Sequence, residues 1–281
     1  MHLRRLLTLA AGALALGLAG PAGAQPAGEE VPFVTTPDNV TLEMLRIARV
    51  GPRDHVIDLG SGDGRIVILA ARRFGATGLG VEIVPELVQR SIRNAREAGV
   101  DDRVSFRVQD LFDTDLTPAT VVTMYLLPQV NLQLRPTLLK LRPGTRVVSH
   151  DWDMGDWPPD ESAVVPVPDK QIGLDRFSRV NLWVVPAQFD GLWCGTGLLH
   201  EFSLRLTQQH QQVHGTLVRR DRVREIEGRI EGAVLHTQAT KIGSLVLERA
   251  GDELRVTGGD GIIALARGAT FQLSGAGSCT G

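Results

Sequence analysis

Several things are scarce in this chain of 281 residues, and each scarcity excludes something. Neither sign of charge dominates: 30 Lys and Arg stand against 32 Asp and Glu, for a net charge of −2. No global field therefore exists to gather nucleic acid or an anionic membrane. Cysteine occurs only at Cys194 and Cys279, which excludes a disulfide-dense scaffold. No repeat is clear enough to indicate a propeller or solenoid. The apolar run at the start, Leu6 to Ala19, has 14 residues, short of the roughly 20 that a spanning helix needs. What remains is ordinary globular composition, 43% hydrophobic and 22% charged, with length for one large domain or two small ones.

The first 24 residues carry the three parts of a secretory signal. His2, Arg4 and Arg5 come first, the apolar run follows, and Ala22-Gly23-Ala24 offers small residues for cleavage after Ala24. The expectation is export to the periplasm or cell envelope with no transmembrane segment after cleavage; the cytoplasm is the alternative if this segment is misassigned. Arg4-Arg5 also resembles the start of a twin-arginine signal, a route for folded proteins, but the residues around the pair do not follow its usual pattern. In an oxidising compartment the two cysteines form a candidate disulfide; otherwise they are two buried, unpaired small residues.

From Val31 to about Val185, short apolar runs alternate with segments of helical period. Val56–Leu59, Gly78–Val81, Val104–Phe106, Ala119–Leu127 and Arg146–Ser149 read as strands, with helices over Arg65–Phe74, Pro85–Ala98 and Val130–Leu141. Apolar strands separated by helices imply an α/β fold, a Rossmann-like parallel sheet covered by helices on both faces. Val180–Val185 is expected to close it as an antiparallel edge. Beyond Pro186 helix signals vanish and the period becomes two, as in Phe202, Leu204 and Leu206. Residues 25–186 and 187–281 thus read as two domains, the second a small antiparallel all-β domain, barrel or sandwich. Gly228 and Gly232 in GRIEG are expected where a strand ends and turns.

Asp58-Leu59-Gly60-Ser61-Gly62-Asp63-Gly64 lies where a strand ends and a helix begins. A glycine-rich turn there lets the backbone approach a ligand at the carboxyl edge of the sheet. The spacing is G-x-G-x-G rather than the dinucleotide G-x-G-x-x-G, and Asp58 precedes it. A pyrophosphate would be repelled by that carboxylate, whereas an ammonium group would be attracted. Glu82 ends the next strand, 24 residues on, placed to accept from both hydroxyls of a ribose. Asp110 follows the third strand, within reach of an adenine amino group. Acids at three successive strand ends describe a ligand with an amino acid, a ribose and a base but no phosphate, which fits S-adenosylmethionine.

With DLGSGDGRIVI, the Glu82 strand, Asp110-Leu111-Phe112, MYLLP at 124–128, RVVSHDWDMGDWPPD at 146–160 and the leading Val31–Pro37 segment, the first half resembles a class I S-adenosylmethionine-dependent methyltransferase. More narrowly it is similar to the small protein-lysine methyltransferases that include the mitochondrial enzyme acting on the ATP synthase c subunit and its prokaryotic relatives. The resemblance covers about half the chain. It implies that Asp58, Gly60, Ser61 and Gly62 line the methionine end of the cofactor, Glu82 holds its ribose, Asp110 and Leu111 contact the adenine, and Phe33 caps it. It also implies a protein substrate presenting a lysine. Tyr125 follows strand four, on the side facing the methyl acceptor, and is either a substrate-side group or part of a buried strand end. His150 and Asp151 either act on the substrate amine or are satisfied structural groups, and two such residues make a poor metal site. Trp152 and Trp157 either form a lip over the acceptor channel or pack their own loop.

Gly191-Leu192-Trp193 opening the second half resembles the start of lipocalin-like barrels, in a motif three residues long. That half is expected to bind an envelope partner, to hold a small apolar ligand, or to stabilise the first. Two functions follow: an exported protein-lysine methyltransferase, or an exported binding or sensing protein that keeps the fold and pocket without transfer activity.

Overall fold

The computed structural model describes residues 34–170, 175–241 and 243–279, with the backbone alone at 262 and 263. The signal-like segment of residues 1–24 and Phe33 lie outside the described residues. Helix α1 (Asp38–Ile47) leads into β1 (His55–Leu59), α2 (Arg65–Phe74), β2 (Thr77–Glu82), α3 (Pro85–Glu97), β3 (Val104–Val108), β4 (Val121–Met124), α4 (Pro128–Leu138) and β5 (Arg146–His150). Strands β6 (Glu161–Pro166) and β7 (Phe177–Val184) complete a seven-stranded sheet of order β3-β2-β1-β4-β5-β7-β6. The first five strands are parallel, and β7 pairs antiparallel with β5. The order reverses between β1 and β4, so a crevice opens at the carboxyl ends of those strands, where open α/β sheets bind ligands.

Alternate residues of the strands feed two cores. Ile57, Leu59, Val122, Met124, Val147 and Trp183 pack on one face. Val56, Val121, Val148, Val180 and Leu182 pack with α1 and α2 on the other. Strand β4 is shorter than its apolar run implies: only Val121–Met124 pair, and Tyr125–Leu127 leave the sheet because Pro128 starts α4. Strand β6 was not foreseen. It is a single-sided edge with exposed Val164 and a terminal Pro166, so it lacks the continuous apolar signature of the inner strands.

Beyond the sheet, β8 (Gly191–Gly195), β9 (Phe202–Gln209), β10 (Gln212–Arg219), β11 (Arg222–Glu231), β12 (Val234–Thr237), β13 (Leu245–Ala250), β14 (Glu253–Gly259) and β15 (Thr270–Leu273) close into an eight-stranded antiparallel barrel. Of the two forms open to the sequence, the barrel is the one adopted. Pairing of β15 with β8 closes it and leaves no free edge. Trp193, Leu204, Leu206, Val213, Ile226 and Leu247 fill its interior. Gly228 sits inside β11 rather than at a turn, because a Cβ there would lie 2.7 Å from the His236 carbonyl oxygen; only Gly232 turns.

Sheet and barrel meet through a largely polar junction at the β9–β10 and β11–β12 turns. The Ala187 amide donates to the Gly232 carbonyl at 2.7 Å, and fully buried Gln211 donates to the Pro158 carbonyl at 2.7 Å. Arg229 pairs with Asp160, and His210 stacks on Trp157 with ring centroids 6.0 Å apart.

Cys194 of β8 is bonded to Cys279 just beyond β15, with Cα atoms 5.5 Å apart and a sequence separation of 85. A loop of that length implies about 4–5 kcal/mol of stabilisation in the chain-entropy model. Cys194→Ser with Cys279→Ser is expected to lower the denaturation midpoint accordingly, and reduction of the unaltered chain should reproduce the loss. A midpoint unchanged by both treatments would show that the barrel closes without help from the bridge.

Candidate active site

The turn after β1 is built for close backbone approach. Gly60, Gly62 and Gly64 have φ of 73°, 55° and 80°, a region that side chains make costly. A Cβ on Gly64 would also lie 2.7 Å from the Phe106 ring. The amides of Gly60 and Ser61 both donate to the Val81 carbonyl, at 3.0 and 2.9 Å, tying the turn to β2. From α3, Ser91 Oγ donates to the Gly62 carbonyl at 2.9 Å and Asn94 Nδ2 to the Asp63 carbonyl at 2.9 Å. The turn is therefore held in shape by neighbours, and Ser61 Oγ is left buried within it without a hydrogen-bond partner among the described residues.

Asp58, 2% exposed, anchors this edge. Thr123 of β4 donates to its Oδ1 at 2.7 Å, and its other oxygen enters no hydrogen bond among the described residues. Burial pushes its carboxyl up to about 7; the Thr123 bond opposes this, and the Glu82 and Asp63 charges add to it. Glu82 Oε2 accepts from the Gly62 amide at 3.0 Å and Oε1 from the Val84 amide at 3.1 Å, which fixes the carboxylate at the end of β2. Asp110 is exposed and caps the single helical turn Leu111–Asp113, accepting from the Phe112 amide at 2.9 Å. Exposed Ile83 and Phe112 stand next to these acids in sequence and offer apolar surface for a flat ring. Half-buried Leu111 packs against the sheet core.

On the far side of the crevice, the Tyr125 ring lies 3.9 Å, centroid to centroid, from the ring of His150. Burial, with the Asp151 charge, raises the Tyr125 phenol, so it stays neutral. His150 is 1% exposed, with Nδ1 3.2 Å from Thr36 Oγ1 and Nε2 2.8 Å from Ser178 Oγ. Burial pushes its imidazole down to about 4, Asp151 opposing and Lys170 adding. Asp151, at φ 63°, accepts from the Arg179 amide at 2.9 Å and pairs with Lys170 at 2.8 Å. Both side chains are thus engaged by protein groups, whereas the Tyr125 hydroxyl enters no hydrogen bond among the described residues. Trp157 is fully buried against Trp183 and His210, so it packs the junction, while Trp152 is 39% exposed.

Four supporting residues escaped the sequence reading: Thr36, Ser91, Asn94 and Thr123. Ser91 and Asn94 stand three apart on α3, on the face toward the glycine turn, and that spacing was the one available signal. Arg65 links the turn to the leading segment, bonding both oxygens of Asp63 and donating to the Thr36 carbonyl at 2.9 Å.

Residues 58–161 match the family model described as the ANTKMT methyltransferase domain. A protein-lysine N-methyltransferase of Saccharolobus islandicus is 47% identical over 133 residues, which are 47% of this chain and 83% of that enzyme. The lysine N-methyltransferase of Mus musculus named for the ATP synthase c subunit is 35% identical over 133 residues, 47% of this chain; the chain spans about half, 53%, of that relative. A crystal structure described as an RNA methyltransferase from Salinibacter ruber, in complex with S-adenosyl-L-homocysteine, is 50% identical, covers 56% of this chain and 96% of its own, and superposes with a TM-score of 0.50.

The two buried titratable groups act in opposite senses on stability. Asp58 holds its proton more tightly folded than unfolded, so its contribution is present below about pH 4 and is lost as pH rises through 7. His150 is the reverse: its contribution is present above pH 6.5 and is lost as pH falls toward 4. Asp58→Asn, which keeps an acceptor for Thr123, is expected to raise unfolding stability at pH 8 by about 2–4 kcal/mol and to change it little at pH 4. Denaturant titrations at the two pH values check this, and an equal effect at both would remove the buried charge as its cause.

Proposed function

The chain belongs to the family of S-adenosylmethionine-dependent methyltransferases, and from that premise we propose that it methylates the side-chain amine of a protein lysine. The observation that carries the site assignment is the convergence of Asp58, Glu82 and Asp110 on three neighbouring strand ends around a glycine turn at the sheet's reversal point. Lysine as acceptor rests on the named activities of the archaeal and mouse relatives.

S-adenosylmethionine, when bound, supplies a methyl group on a sulfonium. Asp58, short of one hydrogen-bond donor and raised toward neutrality, gains from a cationic amino group placed against its free oxygen. Ser61 Oγ is a further buried polar atom awaiting a partner. Glu82, held by two backbone amides, presents its carboxylate to a ribose diol, and Asp110 with Leu111 lies beside the base. An acceptor lysine must first lose its proton. The neutral Tyr125 phenol orients that amine, while the enclosed His150 and the ion-paired Asp151 hold the Tyr125 wall in place. Rate then comes chiefly from positioning. The bridge between Cys194 and Cys279 supports residence in an oxidising compartment such as the periplasm or cell envelope.

Calorimetric titration of S-adenosylhomocysteine is expected to give affinity at least tenfold weaker at pH 5.5 than at pH 7.5, because Asp58 must ionise to meet the ligand ammonium. Asp58→Asn should bind weakly at both. Transfer of labelled methyl to lysine, read by mass spectrometry of methylated proteins, supports the acceptor, and label confined to RNA would refute it. Tyr125→Phe is expected to lower kcat roughly tenfold or more with cofactor affinity kept; equal kcat would remove Tyr125 from the acceptor side.

A further inference from the structure

The barrel encloses a cavity of about 250 Å³ at the end away from the sheet. The β9–β10 and β11–β12 turns touch the sheet, whereas the cavity is walled by the opposite strand ends, with Leu217 of β10, Leu245 of β13, Val256 of β14 and Phe271 of β15 among its apolar groups. Its rim is basic. Arg219 ends β10 and Arg222 and Arg224 open β11, and all three line the cavity.

The register explains why this is unusual for a barrel interior. On β11, Arg222 and Arg224 are in phase with Ile226 and Ile230, which are 6% and 1% exposed, while Val223 between the arginines is 61% exposed. Arginine thus occupies positions that the strand period assigns to the interior. Arg219 and Arg222 are directly opposite one another in the ladder, a like-charge pair that costs stability. Glu201 accounts for Arg219 and Arg220, each bonding a different one of its oxygens, and Arg219 also lies 5.2 Å over the Phe202 ring. Among the described residues the side chains of Arg222 and Arg224 have neither an ion-pair nor a hydrogen-bond partner.

We propose that this cavity is a binding site for a single-chain anionic amphiphile, with an acyl chain against the leucines, Val256 and Phe271 and an anionic head bonded by Arg222 and Arg224. An apolar cavity supplies the binding area and a forked guanidinium fixes the head. By proportion to the ~150 Å³ cavity that admits benzene, 250 Å³ accommodates roughly ten carbon atoms, the length of a medium-chain fatty acid.

The test is calorimetric titration of decanoate into the full chain, beside 1-decanol and inorganic phosphate. Saturable 1:1 binding of decanoate is expected, with both other probes at least tenfold weaker. Arg222→Gln with Arg224→Gln should weaken decanoate at least tenfold, and Ala266→Trp, at the cavity wall, should abolish binding. Neither side chain at 222 or 224 supports the fold, and the opposed Arg219–Arg222 pair costs stability, so the double variant should melt no lower than the unaltered chain. Absence of decanoate binding, decanol binding equally well, phosphate binding equally well, or full affinity in the double variant each overturns the proposal. A head that is a phosphate ester rather than a carboxylate shows as tighter binding of decyl phosphate than of decanoate, with the same dependence on Arg222 and Arg224.

Discussion

A carboxylate held out of water at the end of the central strand imposes conditions on everything near it. Asp58 lies on β1, the strand from which the chain winds first toward β2 and then, after the reversal, toward β4. One neighbour supplies its only hydrogen bond among the described residues, from Thr123, and the other supplies the like charge of Glu82. Such a group is costly to bury unless it is neutral or paired. The interior of the protein leaves it half-satisfied, so the missing partner has to come from outside. A cation at the carboxyl edge would relieve the burial penalty and the repulsion together, which is the physical ground for the proposed role of Asp58 in recognition.

The rest of the site keeps that group from being relieved in any other way. Collapse of the glycine turn onto Asp58 is opposed by Val81, Ser91 and Asn94, which fix the turn from two sides. Arg65, the cation that opens the helix after the turn, is engaged by Asp63. Across the crevice, a neutral His150 bridges Thr36 and Ser178 and so fastens the leading segment to β7 behind Tyr125. Its low proton affinity is a consequence of that enclosure and suits a strut better than a base.

How much of this was legible depends on sequence distance. The glycine turn, the acids at strand ends and the parallel order rest on local pattern: a strand of four or five apolar residues, then a glycine, then helical period. The contacts that complete the site join residues far apart, 65 positions for Thr123 with Asp58 and 114 for Thr36 with His150, and a hydroxyl carries no mark of its partner. The same reason hid the role of Trp157, whose stacking partner His210 belongs to the barrel. The alternating second half showed that its sheet had one buried face. Closure, however, depends on β8 pairing with β15 across nearly the whole half, which alternation cannot disclose.

The barrel's two ends differ in a way that bears on what it is for. At the end against the sheet, Gln211, Arg229 and the Gly232 turn direct polar groups to Pro158, Asp160 and Ala187, a junction tied by specific hydrogen bonds beside the buried Trp157 ring. At the other end, Arg222 and Arg224 are committed to nothing in the described structure. Since both ends are built on β11, whose Arg229 holds Asp160 while its first residues line the cavity, a ligand that drew Arg222 and Arg224 inward would act on the strand that contacts the sheet. A molecule in that cavity does not reach the crevice at the sheet's carboxyl edge, so it is not the methyl acceptor of its own chain. Its place in the architecture is that of a second ligand, bound by a module that leaves the methyltransferase half free to meet its substrate.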